Sequence, residues 1–255
     1  MSALAGKRIV VTRPAEQAKG LLARIREAGG EAFACPTLEI RELEDAAPFL
    51  AVVERLDQFD LAIFVSRNAV RKGLALLGDR RWPAHLALAT VGRGSREELE
   101  AAGFAGVIAP PGQPDSEALL ALPALNDVKG KRIVIFRGDG GRALLGEQLA
   151  RRGAAVTYAA CYRRALPAAG AGPLLAAWAR GPVDAVTVSS GEGLANLALL
   201  LGDTATQRLR DTPLFVPHAR VAAQAARLGA RCTQVAGPGD AETAAALVAY
   251  FTHAG

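Results

Sequence analysis

The sequence predicts an α/β protein with a parallel, doubly wound sheet in each of two similar halves. Short apolar segments of strand length alternate with segments of helical periodicity along the chain of 255 residues, which is the pattern of parallel sheets covered by helices. The segment Gly-Lys-Arg-Ile-Val begins at Gly6 and again at Gly130, 124 residues later. Four further pairs keep this offset: Arg13 with Arg137, Gly29 with Gly153, Asp60 with Asp184, and Ser66 with Ser190. The chain is therefore predicted to be an internal duplication.

Each half contains the same run of elements. In the first half we expect a buried strand at Arg8–Val11, a helix over residues 16–28 and a second strand at residues 32–35. Gly29 suits the C-terminus of that helix, because glycine adopts the left-handed conformation at little cost. The same pattern of strand, turn, helix, glycine and strand recurs over residues 133–158.

The other predicted elements alternate in the same way. Strands are expected at residues 61–65, 86–91 and 107–108 and, in the second half, at residues 185–188, 214–216 and 233–235. A helix follows each of these strands, and two of the helices are expected to end at Gly103 and Gly229.

Composition excludes several classes of protein. With 51% hydrophobic and 22% charged residues the chain is typical of a soluble globular protein, and no apolar run reaches the roughly 18 residues of a membrane span. No secretory signal follows Met1, and the three scattered cysteines form no CxxC pair, so we expect a cytoplasmic protein without structural zinc. The net charge of +5 suits an anionic partner. The basic residues lack the clusters and interleaved aromatics of a nucleic-acid binder.

Two segments are candidate connections between domains. Residues 165–173 are rich in Pro, Gly and Ala, and residues 37–41 precede an acidic patch. Two crossings would make one domain discontinuous, whereas a plain duplication would divide the chain once, near residues 126–129. The residues alone leave both arrangements open.

Polar turns follow the predicted strands, and ligands of doubly wound sheets bind at these carboxyl ends. Helix N-termini there offer unpaired backbone N–H groups and the positive ends of helix dipoles. The candidate binding residues in six such turns are Thr12, Arg13, Ser66, Arg67, Gly92, Ser95, Arg137, Gly138, Ser189, Ser190 and His218. Helix capping alone also explains Ser and Thr at such positions. Six turns, five of them with Arg, nevertheless indicate a cleft that binds several negative groups at once.

Conventional catalytic sets are missing from the sequence. No HExxH, GxSxG or Walker A pattern is present, and of the three histidines only His218 lies at a strand-end turn. Tyr162 follows a strand beside Arg163 and Arg164, which makes it either a candidate proton donor or a half-buried strand-end tyrosine. The GxGxxA match at residues 138–143 suggests a dinucleotide site, but no acidic residue follows the next strand.

The order and spacing of these motifs resemble those of the uroporphyrinogen-III synthase family over nearly the whole length. The matching motifs are Val-Thr-Arg-Pro at 11–14, Phe-Val-Ser-Arg-Asn-Ala-Val at 64–70, Val-Gly at 91–92, Gly-Lys-Arg-Ile at 130–133, Arg-Gly at 137–138, Arg-Gly-Ala at 152–154, Tyr-Arg-Arg at 162–164 and Val-Ser-Ser at 188–190. The chain departs from the family at residues 216–222, where Ile-Gly-Pro-x-Thr-Ala is usual. His218 takes the place of a glycine there, and a hydroxyl expected near Val221 is absent.

The resemblance implies two flavodoxin-like domains joined by a two-stranded linker, with the active site in the cleft between them. Residues 1–36 and 167–255 should form one domain and residues 41–164 the other. The family closes linear hydroxymethylbilane, a polycarboxylate, to uroporphyrinogen III with loss of water and inversion of ring D through a spiro intermediate, using neither metal nor cofactor. Tyr162 is then the expected acid. The candidate serines would bind acetate and propionate groups, and Arg13 and Arg137 would add positive charge at the rim.

A monomer suffices for such a cleft, and hydroxymethylbilane synthase is a candidate for transient hand-over of the substrate. Two other functions remain open from the residues. The first is a cytoplasmic two-lobed binding module for an anionic small molecule. The second is an NADP-dependent reductase that uses the turn at Gly138.

Overall fold

The computed structural model describes residues 2–111, 115–140 and 143–253, without the side chains of residues 204 and 205. The chain folds into two compact units. The first unit comprises Met1–Glu39 and Ala165–Gly255, and the second comprises Ile40–Arg164. The chain passes from one unit to the other twice, so the first unit is discontinuous in sequence.

Strands and helices alternate along the described residues. The strands are β1 (Arg8–Val11), β2 (Glu31–Ala34), β3 (Glu39–Arg41), β4 (Leu61–Phe64), β5 (Ala87–Thr90), β6 (Arg132–Gly138), β7 (Ala155–Ala165), β8 (Ala185–Thr187), β9 (Leu214–Val216) and β10 (Thr233–Val235). The helices are α1 (Ala15–Glu27), α2 (Ala47–Val53), α3 (Arg67–Leu77), α4 (Arg93–Ala101), α5 (Ser116–Leu120), α6 (Leu144–Arg151), α7 (Gly172–Ala179), α8 (Gly191–Asp211), α9 (Ala219–Arg227) and α10 (Asp240–His253).

The sheet of the first unit has the strand order β10-β9-β8-β1-β2, and its strands pair in parallel. Successive side chains of a strand point to opposite faces. Val10 therefore packs in a cluster with Val186, whereas Ile9 packs in another cluster with Leu21 of α1 and Leu247 of α10. Both faces of the sheet are covered, as expected for a doubly wound parallel sheet.

The sheet of the second unit has the strand order β3-β7-β6-β4-β5. Strand β4 pairs in parallel with β5 and β6, and β6 pairs in parallel with β7. Phe64 and Phe136 stack on one face with ring centroids 4.4 Å apart, and Ile63 and Ile135 belong to a separate cluster. The predicted α/β class with parallel sheets is confirmed in both units.

The predicted strands differ from the observed ones by more than one residue at two places. Residues 107–108 do not form a strand, because Ile108 makes only an isolated parallel bridge to Ala89 in β5. Strand β7 extends to Ala165, beyond the predicted run that ends at residue 158, because its last residues continue beside β6 and β3. Among the described residues, no helix is both long and apolar enough to cross a membrane.

Candidate active site

The predicted turns lie at the carboxyl ends of parallel strands in each unit. In the first unit, β1, β8 and β9 lead into α1, α8 and α9, and in the second, β4, β5 and β6 lead towards α3, α4 and α6. Parallel strands present their carboxyl ends at one edge of a sheet, so the helix N-termini of each unit gather at that edge. Each edge therefore combines backbone N–H donors with positive helix dipole ends.

Two of the predicted serines cap helices in the same way. Ser66 Oγ accepts a hydrogen bond of 3.0 Å from the backbone N–H of Ala69 at the start of α3. Ser190 Oγ accepts one of 3.0 Å from the backbone N–H of Gly193 at the start of α8. The helix-capping role that the sequence predicts for serines in these turns is confirmed for Ser66 and Ser190. It leaves each hydroxyl a proton to donate elsewhere.

Tyr162 is directed onto the start of α3 by an irregularity in its strand. Arg137 pairs with Ala160 but Gly138 pairs with Tyr162, so β7 holds an extra residue at this point, as in a β-bulge. Tyr162 consequently packs in the same core cluster as its neighbour Cys161. It is 1% exposed, and its hydroxyl lies 3.2 Å from Ser66 Oγ. The phenol is therefore more enclosed than the half-buried position expected from the sequence.

The predicted turn after β5 holds Gly92 and Ser95. Gly92 is the N-cap residue of α4 and has no side chain that could cap the N–H groups of the first turn. The backbone N–H of Gly92 itself donates to the Thr90 hydroxyl at 3.3 Å. Ser95 is 6% exposed, and its hydroxyl has no hydrogen-bond partner within the described part of the chain. The first turn of α4 therefore keeps donors available to a ligand.

Arg67 lies across the first turn of α4, where Gly94 leaves room for it. A Cβ atom at Gly94 would collide with the Arg67 guanidinium. Arg67 Nη2 is 3.8 Å from Glu97 Oε2, and Arg93 Nε is 3.3 Å from Glu97 Oε1. The side chains of all three ionic residues are more than half exposed, so these pairs are weak and open to competition from another carboxylate. The sequence indicates Gly94 as a member of this polar turn, whereas the part played by Glu97 could not be predicted from it.

Arg137 and Gly138 contact residues of their own unit. Arg137 donates to the backbone carbonyls of Gly138 and Gly140, and its guanidinium lies 5.0 Å from the Tyr158 ring centroid. A Cβ atom at Gly138 would lie 2.6 Å from Cε2 of Tyr162. Gly138 thus admits the Tyr162 ring rather than forming a tight phosphate-binding turn. Residues 141 and 142 of the GxGxxA match lie outside the described residues.

In the first unit, Thr12 and Arg13 make contacts within that unit. Thr12 is buried, and its hydroxyl donates to the backbone carbonyl of Thr187 at 2.8 Å. Arg13 forms an ion pair with Asp240 at the start of α10 and donates to the Pro238 carbonyl at 2.8 Å. Arg13 is therefore already partnered by a carboxylate. Sequence reasoning missed Asp240, which lies 227 residues away along the chain.

Ser189 and His218 follow neighbouring strands of the same sheet. Ser189 borders a cavity of about 10 Å³ that Arg13 and Pro217 also line, which is room for about one water molecule. His218 is exposed at the N-cap position of α9, and its side chain makes no capping hydrogen bond. Its backbone carbonyl accepts from Val221 at 2.9 Å. The imidazole is thus accessible.

The buried cysteines do not offer a nucleophile. Burial raises the pKa of the Cys161 thiol to about 12 and raises the pKa of the Cys35 thiol as well. Both are neutral thiols near pH 7, and the thiolate is the nucleophilic form. The chemistry at these edges is therefore that of hydroxyls, backbone amides and guanidinium groups, which suits recognition of a polyanion.

Comparison with known proteins agrees with this chemistry. A family model described as "Uroporphyrinogen-III synthase HemD" matches residues 19–249. The uroporphyrinogen-III synthase of Escherichia coli is 33% identical over 236 residues, which cover 91% of this chain and 96% of that protein. That of Salmonella typhimurium is 36% identical over 194 residues, which cover 74% and 78%.

A solved structure shares the fold. A mutant uroporphyrinogen III synthase from Thermus thermophilus superposes with a TM-score of 0.68 at 17% identity, over 98% of this chain and all of that one. The match of the family model and the identity to the relatives extend over most of the chain. The chain therefore belongs to the uroporphyrinogen-III synthase family, enzymes of tetrapyrrole biosynthesis.

Proposed function

We propose that this protein cyclises hydroxymethylbilane to uroporphyrinogen III, with loss of water and inversion of ring D through a spiro intermediate. The observation that carries the proposal is the gathering of helix N-termini and hydroxyls at the carboxyl edge of each parallel sheet. The substrate is a polycarboxylate, and carboxylates bind well at helix N-termini, where N–H groups are unpaired and the dipole is positive.

The substrate-binding residues are proposed from these edges. They are Thr12, Arg13, Ser66, Arg67, Gly92, Ser95, Arg137, Gly138, Ser189, Ser190 and His218. Support is strongest for Ser95 and Arg67. Among the described residues, the Ser95 hydroxyl has no hydrogen-bond partner, and the one ion pair of Arg67 is exposed. Thr12, Arg13 and Arg137 already have partners, so they would act mainly by shaping the turns.

Catalysis is proposed to rest mainly on orientation. Holding the terminal rings so that closure occurs at the spiro position supplies a large part of the rate, because one reactive geometry of a flexible linear molecule is fixed. The remaining requirement is one modest acid for the departing hydroxyl. We assign it to the hydroxyl pair of Tyr162 and Ser66, whose oxygens are 3.2 Å apart, with Tyr162 as the source of the proton.

We also propose that the two units arose by duplication. The first sheet reads β2-β1-β8-β9-β10, and the second reads β7-β6-β4-β5 followed by the bridge of Ile108. An offset of about 124 residues maps β1 and β2 onto β6 and β7, and it maps β4 and β5 onto β8 and β9. The corresponding strands therefore occupy the same places in the two sheets. This shared order resembles the flavodoxin-like arrangement.

Equivalent hydrogen bonds support the duplication. Asp184 Oδ2 accepts from the backbone N–H of Arg8 at 2.8 Å, and Asp60 Oδ2 accepts from that of Arg132 at 2.7 Å. Both pairs keep the 124-residue offset. A carboxylate at the start of one strand thus fixes the first amide of the neighbouring strand in each unit.

Residues 1–36 with 167–255 and residues 41–164 are the proposed domains, joined by a two-stranded linker. We further propose a cytoplasmic monomer that needs no cofactor or metal and receives hydroxymethylbilane from hydroxymethylbilane synthase.

Analysis of the product isomer tests the function. Hydroxymethylbilane is generated in situ, incubated with the purified protein and oxidised, and the porphyrins are separated by chromatography. We expect predominantly isomer III. Isomer I alone, formed at the spontaneous rate in the presence of demonstrably folded protein, would reject the proposed activity and favour a binding module.

A further inference from the structure

The hydrogen bond between the hydroxyls of Ser66 and Tyr162 can have either residue as its donor. A serine hydroxyl has one proton to donate and two lone pairs, and a tyrosine hydroxyl likewise donates one proton. One lone pair of Ser66 Oγ already accepts the backbone N–H of Ala69 at 3.0 Å. The contact of 3.2 Å to Tyr162 therefore uses either the second lone pair of Ser66 or its proton.

Burial decides which hydroxyl donates. Ser66 is the sole hydrogen-bond partner of the Tyr162 hydroxyl among the described residues, and Tyr162 is 1% exposed. If Ser66 donated, the Tyr162 proton would be buried without an acceptor, which costs the full desolvation of that group. If Tyr162 donates, its proton is satisfied, and the remaining proton belongs to the half-buried Ser66.

The O–H bond of Ser66 then has a fixed direction. Both of its lone pairs are occupied, one by Ala69 N–H and the other by Tyr162 O–H, so its proton must point away from both groups. Donors to an oxygen polarise its own O–H bond and strengthen the bond that it donates in turn. The positive end of the α3 dipole acts in the same sense.

We propose that the proton of Tyr162 reaches the substrate through Ser66. Ser66 gives its proton to the departing hydroxyl oxygen, the C–O bond breaks with its electron pair, and water leaves. The Tyr162 proton moves to Ser66 Oγ in the same step and leaves a phenolate. The proton that the ring carbon releases after closure returns through Ser66 to Tyr162. Ser66 is thus the catalytic residue that touches the substrate, and Tyr162 acts through it. This inference rests on the proposed function.

An asymmetric double-mutant cycle tests the order of the relay. Tyr162→Phe should lower kcat about 100-fold, at the low end of what general acid catalysis contributes, with little change in KM. Ser66→Ala should lower kcat at least as much. Adding Tyr162→Phe to Ser66→Ala should then change kcat by less than twofold. If Tyr162→Phe costs the same factor with and without Ser66, the phenol acts directly and the relay is wrong.

Control variants separate the relay from simple damage to the fold. Tyr158→Phe makes the same substitution in the same strand, at a residue that is 43% exposed, and should leave kcat unchanged. Ser66→Thr keeps a hydroxyl and should retain most of the wild-type kcat. Ser190→Ala removes an equivalent cap and calibrates the loss of stability, measured by urea unfolding. A Ser66→Ala variant that raises KM at unchanged kcat would overturn the relay and leave Ser66 as a carboxylate ligand.

The wild-type isomer assay keeps the two proposals apart. Formation of isomer III by the wild type together with an additive cycle would reject the relay alone. Absence of isomer III from the folded wild type would reject the function on which the relay rests.

Discussion

Replacing Gly138 by alanine should disturb Tyr162 because the two residues are in direct contact. A Cβ atom at Gly138 would lie 2.6 Å from Cε2 and 2.8 Å from Cζ of the Tyr162 ring. Optimal contacts between carbon atoms are about 3.5–4.0 Å, so the ring or the strand must move by about 1 Å. The ring is fully enclosed and cannot turn aside.

The size of the effect follows from two opposing terms. Overpacking a core typically costs about 1–3 kcal/mol, and replacing a strand glycine by alanine gains about 0.5–1 kcal/mol by restricting the unfolded chain. The mid-values of the two terms, about 2 and about 0.75 kcal/mol, differ by about 1 kcal/mol, so Gly138→Ala should destabilise the protein by about that amount. It should also lower kcat, because the displaced ring carries its hydroxyl away from Ser66.

Gly146→Ala is a matched control in which a methyl group also meets a tyrosine. The added Cβ would approach the Tyr158 hydroxyl even more closely than in the first variant. That hydroxyl is the free end of a side chain that is 43% exposed, so it can move away. Alanine also gains about 1 kcal/mol over glycine inside a helix such as α6. This variant should be neutral or slightly more stable.

Urea unfolding followed by circular dichroism measures both changes. We expect the midpoint of Gly138→Ala to fall and that of Gly146→Ala to stay or rise. A larger loss for Gly146→Ala, or no loss for Gly138→Ala, would refute the reasoning that enclosure rather than distance alone sets the cost.

Three further predictions concern charges and buried groups. Arg13→Met should destabilise the protein by about 1–3 kcal/mol, because it removes charge-assisted bonds to Asp240 and Pro238; a double-mutant cycle with Asp240→Asn that gives no coupling would contradict this. Burial raises the pKa of Cys161 from 9.0 to about 12, so above pH 9 only the unfolded state ionises and stability falls as pH rises towards 12. In Cys161→Ala the free energy of unfolding, measured from pH 8 to 11, should fall less steeply with pH than in the wild type. The same slope in both proteins would contradict this prediction. Asp60→Ala and Asp184→Ala should each cost about 1 kcal/mol, and an effect at only one of the two would argue against their equivalence.

Much of the fold could be predicted because it depends on local signals. The strands at Arg8–Val11 and Leu214–Val216 have the bounds expected from their apolar runs, and Gly29 has the positive φ of 89° expected after α1. Residues 107–108 were wrongly predicted as a strand. Apolar character alone does not tell how many ladder hydrogen bonds an edge segment will make.

The candidate site was less predictable because its contacts are distant in sequence. The capping role of Ser66 could be predicted from its position before a helix. Its contact with Tyr162 spans 96 residues and depends on a β-bulge that the residue types do not predict. The pairing of Arg13 with Asp240 is equally hidden. The candidate residues could therefore be predicted from the residue types in the turns. Their hydrogen-bond and ion-pair partners could be identified only from the tertiary structure.

The most direct test of the proposed activity is the isomer ratio as a function of protein concentration. A fixed amount of hydroxymethylbilane would be divided among increasing amounts of the folded protein, with heat-denatured protein as the control. We predict that isomer III rises from near zero to nearly all of the product, while the control yields isomer I throughout. A ratio that does not respond to the folded protein would contradict the assignment of this chain as a synthase.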